Sequence, residues 1–201
     1  MLRQAAIVLG ISALAMTASG EDEERTFGIE IGQAAPEAIV EDVEGDEFEL
    51  HSLYEKGPTI VVFYRGGWCP FCNKHLALWQ EYVDDVGAAG AQLVMITPEK
   101  PEFIEETSEK GKLGFTIYCD PDFAAADAFN LRFSLDVDMQ AMYGKYGIDL
   151  GTSNVNGQWE LPVPATFVIS TDGEIVWSHV DEDYKVRSDP KDVLAAIAEL
   201  E

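Results

Sequence analysis

The run Thr59-Ile60-Val61-Val62-Phe63-Tyr64-Arg65-Gly66-Gly67-Trp68-Cys69-Pro70-Phe71-Cys72 constrains this chain more than any other. Its first six residues are β-branched or aromatic, which is the composition of a buried strand. Gly66 and Gly67 supply a tight turn, and residues 73–83 then carry apolar side chains at Leu76, Leu78, Trp79, Tyr82 and Val83, close to a helical period. Strand, turn and helix in that order place Cys69 and Cys72 at a helix N-terminus. Unsatisfied backbone N–H groups and the helix dipole favour an anion there, and a thiolate is such an anion. The position predicts a thiol pKa drawn from the free value of about 8.5 towards neutrality or below. Two cysteines at this spacing are also placed to close a disulfide with each other.

Around this centre, strands alternate with helices. Residues 39–40 and 48–50, on either side of the acidic turn at Gly45-Asp46, predict a small hairpin, and residues 92–96 and 115–118 predict two further strands. A helix over residues 100–110 opens on Pro101, and the Ala-rich residues 122–129 predict another. Residues 139–146 carry a weaker helical pattern, while residues 147–157, rich in Gly, Asn and Asp, predict a surface loop. Residues 166–169 and 174–179 flank the turn Thr171-Asp172-Gly173 as a hairpin, and residues 191–200 close the chain with Val193, Leu194, Ile197 and Leu200 on one helix face. This alternation predicts the α/β class with a central sheet.

A chain of 201 residues holds one complete core, and one domain is expected over residues 31–201 after a polar lead-in at residues 21–30. Residues 1–20 stand apart: Arg3 is followed by a small apolar stretch ending in Ala18-Ser19-Gly20, the pattern of a secretory signal peptide. The stretch is too short for a comfortable membrane span, and with no cysteine at its end it does not read as a lipoprotein signal. Kept uncleaved, it would be a weak N-terminal anchor. An exported, periplasmic or otherwise extracytoplasmic protein is expected, with no membrane span in the mature chain. The net charge of −24 leaves no basic surface for nucleic acid and describes a solvated acidic exterior. Three cysteines, two of them paired by spacing, do not make a disulfide scaffold, so a Cys-x-x-Cys in an exported chain reads as redox-active.

Trp68-Cys69-Pro70-Phe71-Cys72 after a strand, with Val163-Pro164-Ala165-Thr166-Phe167 near the C-terminus, resembles the thioredoxin fold, a central mixed β-sheet flanked by helices. In that fold a proline directly before a strand is cis and faces the cysteines, which assigns the role to Pro164 and leaves the preceding backbone groups open to an extended partner chain. Ile31-Gly32-Gln33-Ala34-Ala35-Pro36, Thr97-Pro98-Glu99 and Cys119-Asp120-Pro121-Asp122 are more specifically similar to the alkyl hydroperoxide reductase C and thiol-specific antioxidant (AhpC/TSA) family, the peroxiredoxins, in a subgroup carrying Cys-x-x-Cys. The resemblance implies a thiol oxidoreductase that needs no cofactor. It would act on a hydroperoxide or a protein disulfide and take electrons from a thioredoxin-like dithiol.

Laid on the peroxiredoxin motif Pro-x-x-x-Thr/Ser-x-x-Cys, the peroxidatic cysteine falls on Cys72, the proline on Arg65 and the threonine on Cys69. The family's later arginine falls on Pro164, and the buried aspartate of thioredoxin falls on Phe63. Thioredoxin logic makes Cys69 the attacking sulfur, as the more exposed of the two, with Cys72 resolving. Peroxiredoxin logic oxidises Cys72 to a sulfenic acid that condenses with Cys69. Arg65 is a candidate to stabilise a thiolate or a substrate carboxylate, or else a plain surface salt bridge. Trp68 is expected to shield the sulfurs. His75 completes Cys-x-x-Cys-x-x-His, but metal sites usually draw on two separated knuckles, so it is placed on the solvated side of the helix. Cys119 is expected to be a small core residue.

Overall fold

The computed structural model describes residues 26–200. A hairpin of β1 (Ile39–Glu41) and β2 (Glu47–Glu49) and the single-turn helix α1 (His51–Tyr54) lead into β3 (Thr59–Phe63). Then come α2 (Pro70–Gln80), α3 (Val83–Ala88), β4 (Gln92–Thr97), α4 (Pro101–Gly111), β5 (Thr116–Cys119) and α5 (Ala124–Ala128). The C-terminal part runs through β6 (Arg132–Ser134), α6 (Val137–Lys145), α7 (Leu150–Ser153), β7 (Glu160–Pro162), β8 (Ala165–Ile169), β9 (Ile175–Val180) and α8 (Pro190–Ala198).

Seven of these strands form one mixed sheet in the order β2-β1-β5-β4-β3-β8-β9. Only the β3–β4 and β4–β5 pairs are parallel, and in each the chain returns to the adjacent strand through a helical crossover. All five residues of β3 are buried, as its unbroken apolar run requires for a strand covered on both faces. Its alternation divides two cores. Ile60, Val62 and Tyr64 pack with Leu76 and Trp79 of α2, Ile104 of α4 and Val193 of α8. Val61 and Phe63 face the other way, onto Leu53, Phe129 and Phe167. Burying each such side chain contributes about 1.5–3 kcal/mol, so the sheet fixes the rear of α2 firmly. The α/β class and the central mixed sheet flanked by helices agree with the sequence reading.

Two segments differ from it. Residues 147–157 are not a surface loop throughout, since they contain α7, with Leu150 and Asn154 fully buried. Asn154 explains this: its side-chain amide donates to the carbonyls of Gln158 and Glu160, at 3.0 and 2.9 Å, and folds the segment inward. The second sheet, β6 against β7, was also not legible, because each strand is three residues long. Smaller shifts occur at helix ends. The α2 helix stops at Gln80 and α3 restarts at Val83, and Leu200 lies partly exposed beyond the end of α8.

Candidate functional site

Cys69 caps the N-terminus of α2 with extended backbone angles, and Pro70, which has no N–H to leave unsatisfied, occupies the first helical turn. The turn before it is held by the Cys69 amide donating to the Gly66 carbonyl at 3.1 Å and by the Asn73 side chain donating to the Gly67 carbonyl at 2.7 Å. Both cysteines of the pair are thiols in this structure and both are buried, at 2% and 0% exposure. Cys69 is thus the outer sulfur by position but is scarcely more exposed than Cys72.

Their environments push the two thiols apart. A hydrogen bond from Cys72 is the largest influence on Cys69; with backbone amides of Cys72 and Phe71 and the charge of Arg65, it outweighs burial and lowers the pKa to about 6. Cys72 goes the other way, raised well above the ordinary thiol value by burial and by the neighbouring Cys69 sulfur. Arg187 opposes this from the segment before α8, with Nη2 3.6 Å from the Cys72 sulfur. Of the two thiols, Cys69 is the one whose surroundings favour the thiolate.

Arg65 is not a surface salt bridge. It is 4% exposed, and among the described residues no carboxylate pairs with it. Instead its guanidinium donates to the Tyr143 hydroxyl at 2.5 Å and stacks over Tyr184, Trp68 and Tyr143, with centroids 4.2, 5.0 and 5.7 Å away. Trp68 packs against both Arg65 and Tyr143. Pro164 shares a pocket of about 190 Å³ with Arg65, Tyr143, Phe133, Val163 and Tyr184.

The expected cis bond at Pro164 is absent, since no peptide bond among the described residues is cis. The chain enters Pro164 from β7, paired against β6, and the Val163 amide donates to the Leu131 carbonyl at 2.8 Å. The donor that an extended partner strand would have taken is spent within the chain.

His75 is a second correction. It is 5% exposed rather than solvated, because Cys72, His75, Leu76 and Trp79 form the buried i, i+3, i+4, i+7 stripe of α2. Its Nε2 accepts from the Trp79 indole at 3.0 Å and lies 3.4 Å from Ser188 Oγ, which is 2.9 Å from Thr166 Oγ1. Burial, with help from Arg187, lowers the imidazole to about pKa 4, so it stays neutral. Among the described residues no group of three or more His, Cys, Asp and Glu side chains is placed to hold a metal ion. Cys119 is buried and donates to the Glu99 carbonyl at 3.1 Å.

Glu99, Tyr143, Tyr184, Arg187 and Ser188 were not singled out by the sequence reading. They reach the site from three separate segments, and only Glu99 lay in a motif already quoted.

The profile of the AhpC/TSA family matches residues 31–178. The chain belongs to the AhpC/TSA family. Among curated relatives, the thiol-disulfide oxidoreductase ResA of Bacillus anthracis is 23% identical over 78% of this chain and 73% of the relative. The thioredoxin-like protein AAED1, chloroplastic, of Arabidopsis thaliana is 30% identical over 68% of this chain and 52% of the relative. Of solved structures, peroxidoxin BcpB from Mycobacterium tuberculosis superposes with a TM-score of 0.68 at 18% identity, covering 86% of this chain and 99% of the other. The last likeness speaks for the fold, which is thioredoxin-like. As an AhpC/TSA member with a Cys-x-x-Cys pair, the protein is a thiol oxidoreductase.

Proposed function

We propose that this AhpC/TSA member reduces hydroperoxides, with Cys69 as the attacking thiolate, Cys72 as the resolving thiol and a thioredoxin-like dithiol as electron donor. The observation that supports the reading is access: both sulfurs are buried, at 2% and 0% exposure, so only a narrow approach is left to them. A small peroxide fits such a space, whereas a protein disulfide needs a backbone edge that Leu131 already occupies at Val163. Attack by the Cys69 thiolate breaks the O–O bond, forms an S–O bond and oxidises the sulfur to a sulfenic acid. Cys72 then displaces water from it to form the disulfide, which the external dithiol reopens. The family's arginine is replaced by Pro164, yet the guanidinium of Arg65 lines the same pocket. The Arg65 charge acts on Cys69, and in this reading it would polarise the peroxide oxygens as well.

A second reading, thiol-disulfide exchange, is favoured by one observation. A low first thiol and a raised second thiol are the order that a mixed-disulfide mechanism needs. Rapid-mixing measurements set the rate of Cys69 sulfenic acid formation with hydrogen peroxide beside the rate of exchange with a model disulfide. Fast sulfenylation is expected; a peroxide rate no better than that of a free thiol refutes the peroxidase. Export rests on residues 1–20, which lie outside the described residues. No helix among the described residues is long and apolar enough to cross a membrane. A mature N-terminus near Gly20 in mass analysis is the expected result, and an intact Met1 in a cytoplasmic pool refutes it.

A further inference from the structure

Glu99 lies immediately after β4 and is 1% exposed. Its Oε2 accepts from the Gly67 amide at 2.7 Å, two residues ahead of Cys69 in the turn that carries the sulfur. The carboxyl is pressed against that turn: a Cβ on Gly66 would fall 2.8 Å from the Glu99 carboxyl carbon. A buried carboxyl with one amide partner and no cation is costly to ionise beside a thiolate. We propose that Glu99 holds the proton that balances the Cys69 thiolate, so that the site carries a single negative charge, on sulfur when reduced and on Glu99 when oxidised.

The groups around Glu99 fit this exchange. Cys69 faces it from the turn, Tyr64 from the end of β3 and Cys119 from β5. On the far side, Glu99 lines a cleft of about 610 Å³ with Glu106 and Lys110 of α4 and with Asp149. Lys110 is engaged by Glu106 in an ion pair, so it does not neutralise the Glu99 carboxyl. The cleft opens beside the carboxyl, and the side chains of Glu106, Lys110 and Asp149 in its largely apolar lining offer a path by which a proton can return. Burial raises Glu99 to about pKa 7, with Cys69 and Glu106 adding to it against the Gly67 hydrogen bond.

The steps balance. The Cys69 thiolate attacks ROOH, the sulfur is oxidised and the peroxide reduced, and the leaving alkoxide departs as ROH with the proton of Glu99. Cys72 keeps its proton until it attacks the sulfenic acid, when that proton leaves in water. The external dithiol then returns two electrons and two protons, one to Cys72 and one to Glu99. The same charge transfer occurs if a disulfide replaces the peroxide, so the proposal rests on the redox pair and not on the oxidant.

Infrared difference spectra between the dithiol and disulfide forms test it, using the full chain with and without Glu99→Gln. Glutamine keeps an acceptor for the Gly67 amide but holds no titratable proton. The protonated carboxyl band is expected in the reduced wild type near neutral pH, lost on oxidation, and missing in Glu99→Gln. In that variant the pH midpoint of Cys69 alkylation should move by less than about half a unit, because the Glu99 carboxyl is already neutral where the thiolate forms. A carboxyl band indifferent to oxidation overturns the proposal, as does an alkylation midpoint that falls by about a unit or more, the mark of an ionised Glu99 beside the thiolate. The wild-type spectrum alone decides if the variant fails to fold. A pair that does not cycle between dithiol and disulfide overturns the redox reading as well; a pair that cycles without moving the Glu99 band overturns this inference only.

Discussion

Replacing Cys72 with Ala removes the largest influence holding Cys69 at about pKa 6, the hydrogen bond from the Cys72 thiol. A hydrogen bond to a charged group contributes roughly 1.5–3 kcal/mol, and one pKa unit corresponds to about 1.4 kcal/mol, so a rise of about one to two units is expected. The Phe71 amide and Arg65 remain, which keeps the value at or below that of a free thiol. At pH 6 the thiolate fraction should drop from about half to between about a tenth and a hundredth. Alkylation of Cys69 with iodoacetamide across the pH range, followed on its own peptide, reads this directly, because restricted access of the reagent slows the rate without moving the midpoint. Arg65→Met serves as comparison and should raise the midpoint less, since its charge ranks below the Cys72 contribution. A Cys72→Ala profile that superimposes on the wild type would refute the account, and so would a larger shift in Arg65→Met.

Three further outcomes are expected. Under oxidant, peptide mapping should find a Cys69–Cys72 bond that dithiothreitol reopens and an unmodified Cys119, whose thiol burial pushes up to about 12; a main product containing Cys119 would contradict this. Because His75 titrates near 4 when folded and near 6.5 when unfolded, the native state binds fewer protons, and stability should decline as pH falls from 6.5 to 4, by up to about 3 kcal/mol. In His75→Gln that part of the slope should vanish from urea titrations, and equal slopes would count against it. Gly66→Ala forces a Cβ to within 2.3 Å of the Trp68 indole nitrogen at a residue with φ of +145°. A loss of order 1–3 kcal/mol is expected, and an unchanged urea midpoint with unchanged tryptophan fluorescence would rule out the close approach.

The elements that hold the cysteines were legible because their patterns are local. The β3 run announces a strand buried on both faces, and the glycines and Pro70 mark where it turns into α2. His75 was legible as well, had the helical count started from Cys72, since positions 72, 75, 76 and 79 fall on one stripe. Judged only as a metal ligand and set aside as one, it was assigned to the solvated side. The short strands β6 and β7 carried no such pattern, since three residues barely display a period of two.

From the sequence alone came the α/β class and a dithiol at a helix N-terminus, because strand alternation, glycine turns and helix starts depend on neighbours a few residues apart. Which sulfur carries the charge was a tertiary decision. It follows from the hydrogen bond between the two thiols, from the deeper burial of Cys72 and from Arg65 held in its aromatic cage, against the opposing charge of Arg187, 115 positions beyond Cys72 in the chain. The fate of the backbone edge at Pro164 was likewise tertiary: Leu131 takes the Val163 amide, a bond between residues 32 positions apart. Electrostatic fields and backbone pairing act through space, and only the folded chain brings those groups within a few ångströms of one another.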